Sequence, residues 1–181
     1  MPGYVIHLAV AEEYLRKHKN NNENYNEFIE GVIFPDGVKD KSLTHYGKGS
    51  SQTNLYAFLE DNKMDTSFNR GYFLHLLTDY IFYNRYISIF TNDMYNDYDI
   101  LNKELLEKYK VILPEKVKNQ VFFKDEPYSN LKILSIDMVN KFINEVSSIS
   151  LDDVEKDIKA FPSKWTKIRP LKKLWFICFF M

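Results

Sequence analysis

Three of the four histidines in this chain stand where they could share a metal ion with nearby carboxylates. His75 and Asp79 lie in Gly71-Tyr72-Phe73-Leu74-His75-Leu76-Leu77-Thr78-Asp79. Residues four apart on a helix occupy one face, so this segment can aim an imidazole and a carboxylate at one point. Upstream, Pro35-Asp36-Gly37 offers a second carboxylate and Thr44-His45-Tyr46 a second imidazole. His7 sits in the apolar stretch Tyr4-Val5-Ile6-His7-Leu8-Ala9-Val10. Two or three neutral imidazoles with one or two carboxylates make a ligand set suited to zinc or a similar divalent ion.

Each residue also has a plainer reading. His75 and Asp79 could be a hydrogen-bonded structural pair, and His7 a satisfied core histidine. His45 could be an idle loop residue, and Asp36 an ordinary turn aspartate. His18, between two lysines, reads as solvated, and Asp40, Asp61, Asp65, Asp97 and Asp99 read as surface or cap residues. Only convergence in space would separate the metal reading from these alternatives.

The elements that must bring them together read as helices. Apolar spacing predicts a helix from about Tyr4 to Lys19, closed by Asn20-Asn21-Asn22, and a short one from Tyr25 to Phe34. Pro35-Asp36-Gly37 is a turn, and 37–51 a loop carrying His45. A further helix is expected from Thr53 to Asn62. The longest runs from Phe68 to Phe90, with Asp65, Thr66 or Ser67 as its cap. It is apolar nearly all round from Tyr72 to Ile89, which marks a central helix. A histidine and an aspartate buried there need partners, because burying either alone is costly. Later helices are expected near Asp97–Tyr109, Pro114–Phe122, Ser135–Ser148 and Leu151–Phe161, the last with a capping box from Ser150 to Asp153. There is no alternating strand pattern, repeat or linker, so the expectation is an all-α single domain over 1–181, a helical bundle.

Composition narrows the function classes. Hydrophobic residues at 45% and charged residues at 27% are ordinary for a globular protein. With 14 Phe and 13 Tyr, an aromatic core is expected. The net charge of -1 carries no nucleic-acid signature. Cys178 is the single cysteine, which excludes an intrachain disulfide and fits a reducing compartment. His7, Glu12 and Glu13 interrupt the first apolar run, so it does not read as a secretory signal, and the expected location is cytoplasmic. The tail from Leu174 to Met181 is apolar throughout, preceded by Lys172 and Lys173. It is too short to span a bilayer and could dock on the core or make a peripheral membrane contact. Phosphate-binding glycine loops, Cys-x-x-Cys pairs and nucleophile elbows are absent.

Taken in order, Met1-Pro2-Gly3 with His7, Phe34-Pro35-Asp36, Thr44-His45 and the Gly71–Asp79 segment resemble the zinc-dependent phospholipase C family, which is related to the single-strand-specific zinc nucleases. The resemblance covers roughly the first half of the chain. It implies an all-helical fold with a zinc cluster in a cleft. It would place Asp36, His45, His75 and Asp79 around one metal. Asp79 would bridge to a second metal, held also by His7 and the chain's N-terminus, and Asp36 would be the general base. The implied activity is hydrolysis of a phosphate ester, with a phospholipid among the substrates the resemblance implies, and with one or two zinc ions or another divalent metal. No histidine follows His75, so the family's third site, built from two later histidines and a glutamate, is missing or built differently here. The alternative is a metal-binding structural or interaction domain without catalysis. A helical phosphohydrolase of the HD type would need an adjacent His-Asp pair, which this sequence lacks.

Overall fold

A computed structural model describes residues 3–19, 22–170 and 172–173. They form helices α1 (Tyr4–Lys17), α2 (Tyr25–Ile33), α3 (Ser42–His45), α4 (Leu55–Asp61), α5 (Ser67–Ile81), α6 (Asp93–Tyr109), α7 (Glu115–Lys118), α8 (Ile136–Ser147), α9 (Leu151–Ala160) and α10 (Pro162–Trp165). Extended pairing among the described residues is confined to β1 (Ile89–Phe90) and β2 (Lys172–Lys173), which run parallel. The molecule is therefore predominantly α-helical, as its periodicity predicts.

α5 is the centre. Every residue from Gly71 to Asp79 is buried, and the helix contacts α1, α2, α4, α8 and α9. Thr66 caps it by accepting from the Asn69 amide at 3.1 Å. Ser67 instead donates to Glu23 at 2.7 Å, which fastens the start of α5 to the approach to α2. Asn24 caps α2 in the same way through the Glu27 amide. These caps satisfy amides that the first helical turn leaves open.

α2 and α5 cross backbone to backbone. A methyl group on Gly31 would collide with the Phe68 carbonyl oxygen, and one on Gly71 with the Phe28 carbonyl oxygen. Two glycines, one on each helix, thus permit a close backbone approach. That approach brings the Val32 carbonyl of α2 against His75 of α5.

Several boundaries differ from expectation. The long helix stops at Ile81, widens into a π turn over Phe82–Tyr86, and gives way to extended chain at Ile87 and β1. A run of apolar residues cannot distinguish helix from strand, and the β-branched Ile87 and Ile89 favour the latter. The segment 37–51 contains α3 and a 3-10 turn at Ser50–Gln52, so His45 sits on a helical turn. α6 begins at Asp93, four residues early, and α7 is only one turn long.

Two side-chain expectations are corrected. Asp97 is buried and accepts amides from Lys132 (2.9 Å), Ile133 (2.7 Å) and Leu134 (2.9 Å), organising the chain before α8. His18 is half-buried, stacked on Tyr14 at 4.2 Å with Nε2 3.2 Å from the Ser147 carbonyl. The chain's N-terminus and the apolar 174–181 tail lie outside the described residues. No helix among the described residues is long and apolar enough to cross a membrane.

Candidate metal centre

Four separate segments deliver five groups to one place. α1 supplies His7, the 3-10 turn after α2 supplies Asp36, α3 supplies His45, and α5 supplies His75 and Asp79. All five are buried, with Asp36 the most exposed at 5%. The convergence that the sequence left open is therefore present, in two overlapping groups: His7, His75 and Asp79, and Asp36, His45 and His75.

The ligand atoms are spaced as a shared cation requires. His45 Nε2 and His75 Nε2 are 3.3 Å apart. Asp36 Oδ1 lies 3.8 Å from the first and 3.9 Å from the second. Asp79 Oδ2 lies 3.0 Å from His45 Nε2 and 3.7 Å from His75 Nε2. Two ligand atoms each about 2.1 Å from one tetrahedral ion stand roughly 3.4 Å apart, the middle of this range. Asp79 turns its other oxygen, Oδ1, to His7 Nε2 at 3.5 Å.

The ring orientations are fixed by the backbone. His75 Nδ1 donates to the Val32 carbonyl at 2.8 Å, and His45 Nδ1 to the Lys41 carbonyl at 3.1 Å. A carbonyl only accepts, so in the neutral form of each ring Nδ1 carries the proton and Nε2 a bare lone pair. Carbonyl-held imidazoles of this kind are typical of metal-binding histidines. Thr44 supports the arrangement by donating to the Pro35 carbonyl at 2.9 Å, which ties α3 to the turn carrying Asp36. Tyr72 donates to the Thr44 carbonyl and anchors α3 to α5.

Polar atoms in the centre lack ordinary partners. Both nitrogens of His7 and all four carboxylate oxygens of Asp36 and Asp79 are buried without a hydrogen bond. His45 Nε2 approaches Asp79 Oδ2 to 3.0 Å. Such a concentration of orphaned groups is uncommon in a folded core and fits residues that coordinate an ion. The donor set and its orphaned atoms thus fit a divalent metal, and these buried His and Asp groups could hold one.

The electrostatics are uneven. Burial pushes the Asp36 carboxyl above its ordinary value, although the His7 charge opposes it. Asp79 is also pushed upward by burial, but the adjoining His45 and His7 imidazoles outweigh this and hold it well below the usual carboxylate range. His75 is held well below its ordinary value, first by burial and then by the charge of His7.

Three surrounding features were missed at the level of sequence. Lys41 Nζ donates to the Asp36 carbonyl at 2.6 Å and lies 3.4 Å from Oδ1. Ser50 Oγ lies 3.2 Å from His45 Nε2. The Tyr4 hydroxyl is buried without a hydrogen bond, pushed up to about 12 by burial and then by Asp36. Tyr4 also lines a cavity of about 280 Å³ with Phe34, Gly37 and Val38, beside the turn that carries Asp36. Serine, lysine and tyrosine carry no distinctive spacing signal, so only the folded arrangement identifies them.

His75 can serve a single ion, because Nδ1 is committed to Val32 and only Nε2 remains. A second ion between His7 and Asp79 would have two protein ligands among the described residues. Searches of protein-family models, curated proteins and solved structures find no match to this chain.

Proposed function

We propose that the protein is a metal-dependent phosphoesterase of the phospholipase C-like type, with zinc as the ion. The observation that carries this reading is the pair of Nε2 lone pairs of His45 and His75, 3.3 Å apart and facing Asp36 and Asp79. Two lone pairs at that distance repel unless a positive charge lies between them, and the carboxylates supply the rest of a cation's ligand shell.

His45, His75, Asp36 and Asp79 would hold the ion, and His7 with Asp79 Oδ1 would hold a second one if it binds. A divalent ion in such a site lowers the pKa of bound water and offsets charge developing on a phosphoryl oxygen. Asp36 Oδ2 has no hydrogen bond and is the atom available to take a proton. Lys41, beside Asp36, brings a positive charge suited to orienting a phosphate ester. The cavity lined by Tyr4, Gly37 and Val38 adjoins the turn that carries Asp36, and we assign the substrate's approach to it. The single cysteine agrees with a cytoplasmic setting.

The burial of all five groups favours a second reading, a domain in which the metal stabilises the fold without catalysis. Elemental analysis of protein purified without chelator, for the wild type and for His75→Ala, tests both. Roughly one to two equivalents of zinc in the wild type, lost in the variant, is the expected result. Hydrolysis of a chromogenic phosphodiester that also disappears on chelation would select the enzyme over the structural domain. A wild type that takes up no divalent metal after incubation would end both readings.

A further inference from the structure

Tyr4 stands between the metal centre and the surface. It is the first residue of α1, on the same helix as His7, and it lines the cavity of about 280 Å³ beside the Asp36 turn. A methyl group at Gly37, which lines the same cavity, would meet nothing within 4 Å, so the turn faces open space there. The charged residues lining the cavity, Glu30 and Lys116, are paired with each other. Tyr4 is only 7% exposed, and its hydroxyl is buried without a hydrogen bond. Both carboxylate oxygens of Asp36 are buried and unbonded as well, yet Asp36 is near enough for its charge to act on the phenol. A donor and an acceptor that sense each other without bonding suit a third group that meets both.

Donors around the centre are otherwise committed. As carboxylates, Asp36 and Asp79 only accept. Nδ1 of His45 and of His75 donates to a backbone carbonyl, and Lys41 Nζ donates to the Asp36 carbonyl. His7 Nε2 faces Asp79 at 3.5 Å. The Tyr4 hydroxyl is the remaining donor among these groups. A phenol titrates near about 10 and burial raises this one further, so it keeps its proton at neutral pH.

We infer that the Tyr4 hydroxyl donates a hydrogen bond to a phosphoryl oxygen of the bound ester. The inference rests on the phosphoesterase reading and adds a residue to it. Negative charge grows on the non-bridging oxygens as the ester is attacked, and a buried donor already in place stabilises that charge without reorganising. Tyr83 and Tyr98 also sense Asp79 and Asp36, but neither lines the cavity.

Tyr4→Phe tests it, because the variant loses the hydroxyl and keeps the ring. Inorganic phosphate is titrated calorimetrically into the zinc-loaded full chain, and hydrolysis of a chromogenic phosphodiester is measured beside it. The variant should bind phosphate about 10-fold more weakly and lose about 10–100-fold in kcat, as expected for a hydrogen bond to a charged group. Its zinc content should match the wild type, and its melting temperature should be equal or slightly higher, since the hydroxyl has no protein partner to lose. Unchanged phosphate affinity and kcat would overturn the inference while leaving the phosphoesterase reading in place. A lowered melting temperature with loss of zinc would assign the hydroxyl to the fold and overturn it equally, as would a wild type that binds no phosphate. Phosphate binding that weakens in Tyr4→Phe, with no hydrolysis by the wild type, would uphold Tyr4 as the phosphoryl donor and overturn the phosphoesterase reading instead.

Discussion

The imidazole rings of His7 and His75 lie face to face, 3.8 Å between centroids and 6° from parallel. One belongs to α1 and the other to α5, so the stack joins the first helix to the central one. Two parallel imidazoles at this distance cannot both carry a proton cheaply in a buried site, because like charges there are poorly screened. The stack therefore keeps at least one ring neutral, the form a metal requires.

Stability of the metal-free protein should fall as pH drops below about 6.5, the ordinary histidine value. His75 is held well below that value by burial first and by His7 second. In the unfolded chain it takes a proton near its ordinary value, whereas in the folded chain it does not. The unfolded state therefore binds more protons, and stability rises with pH up to that value. Asp36 acts in the opposite sense at lower pH, since its raised folded value costs stability once the unfolded carboxyl ionises. Denaturant unfolding of chelated protein between about pH 5 and 8 measures the slope. A flat profile would show that His75 is not buried as a neutral ring.

Removing metal should lower the melting temperature as well as any activity. An ion present at about 100 times its dissociation constant stabilises the folded state by about 2.7 kcal/mol. For a chain of this size that is about 5–10 °C in the melting temperature. The shift on chelation should vanish in Asp79→Ala, because Asp79 contributes one oxygen toward His45 and the other toward His7. An equal shift in wild type and variant, read by differential scanning fluorimetry, would place the metal elsewhere.

Asp97 makes a separate test of the framework. Its two oxygens accept three consecutive amides, those of Lys132, Ile133 and Leu134. Charge-assisted bonds to buried amides are strong, and leaving the amides without an acceptor adds a desolvation cost. Asp97→Ala should destabilise by about 3 kcal/mol or more. Asp97→Asn should cost less, since one carbonyl oxygen can still serve Ile133 and Leu134. Equal costs for the two variants, measured by urea unfolding, would contradict this account. Metal content in the Asn variant should be unchanged, because Asp97 is not among the converging groups.

How much of this was legible beforehand depended on whether the signal was local. The helix carrying His75 and Asp79 and its central position followed from composition and spacing within one segment, which narrowed its cap to Asp65, Thr66 or Ser67, of which the fold uses Thr66. The five residues at the centre were legible as candidates because histidine is rare here and each stood in a distinct context. Their convergence was not, since it depends on contacts between α1, α2, α3 and α5. Asp97 looked like a surface aspartate because its partners lie 35 to 37 residues later in loop backbone, which leaves no pattern in the sequence. The end of α5 was missed for a different reason. The apolar run continues past Ile81, and only tertiary pairing turns 89–90 into a strand.

Gly71 carries the most direct link between sequence, packing and site. A methyl group there would strike the Phe28 carbonyl oxygen, which is backbone and cannot swing aside as a side chain would. α2 and α5 would have to move apart, and overpacking of this kind typically costs about 1–3 kcal/mol. Alanine's better helix propensity returns only about 1 kcal/mol, so Gly71→Ala should be destabilising overall. The damage should extend to the metal centre. Val32 on α2 holds His75 Nδ1 at 2.8 Å, and a separated pair of helices loses that bond and with it the fixed direction of Nε2. Disturbing a group that orients a metal-binding histidine commonly weakens affinity by about 10–100-fold. Gly37→Ala is the control, because a methyl group at Gly37 meets nothing within 4 Å. Zinc titration with a competing chelator should therefore show a loss in Gly71→Ala and little change in Gly37→Ala. Wild-type affinity in Gly71→Ala would mean that the helix crossing does not set the geometry of His75.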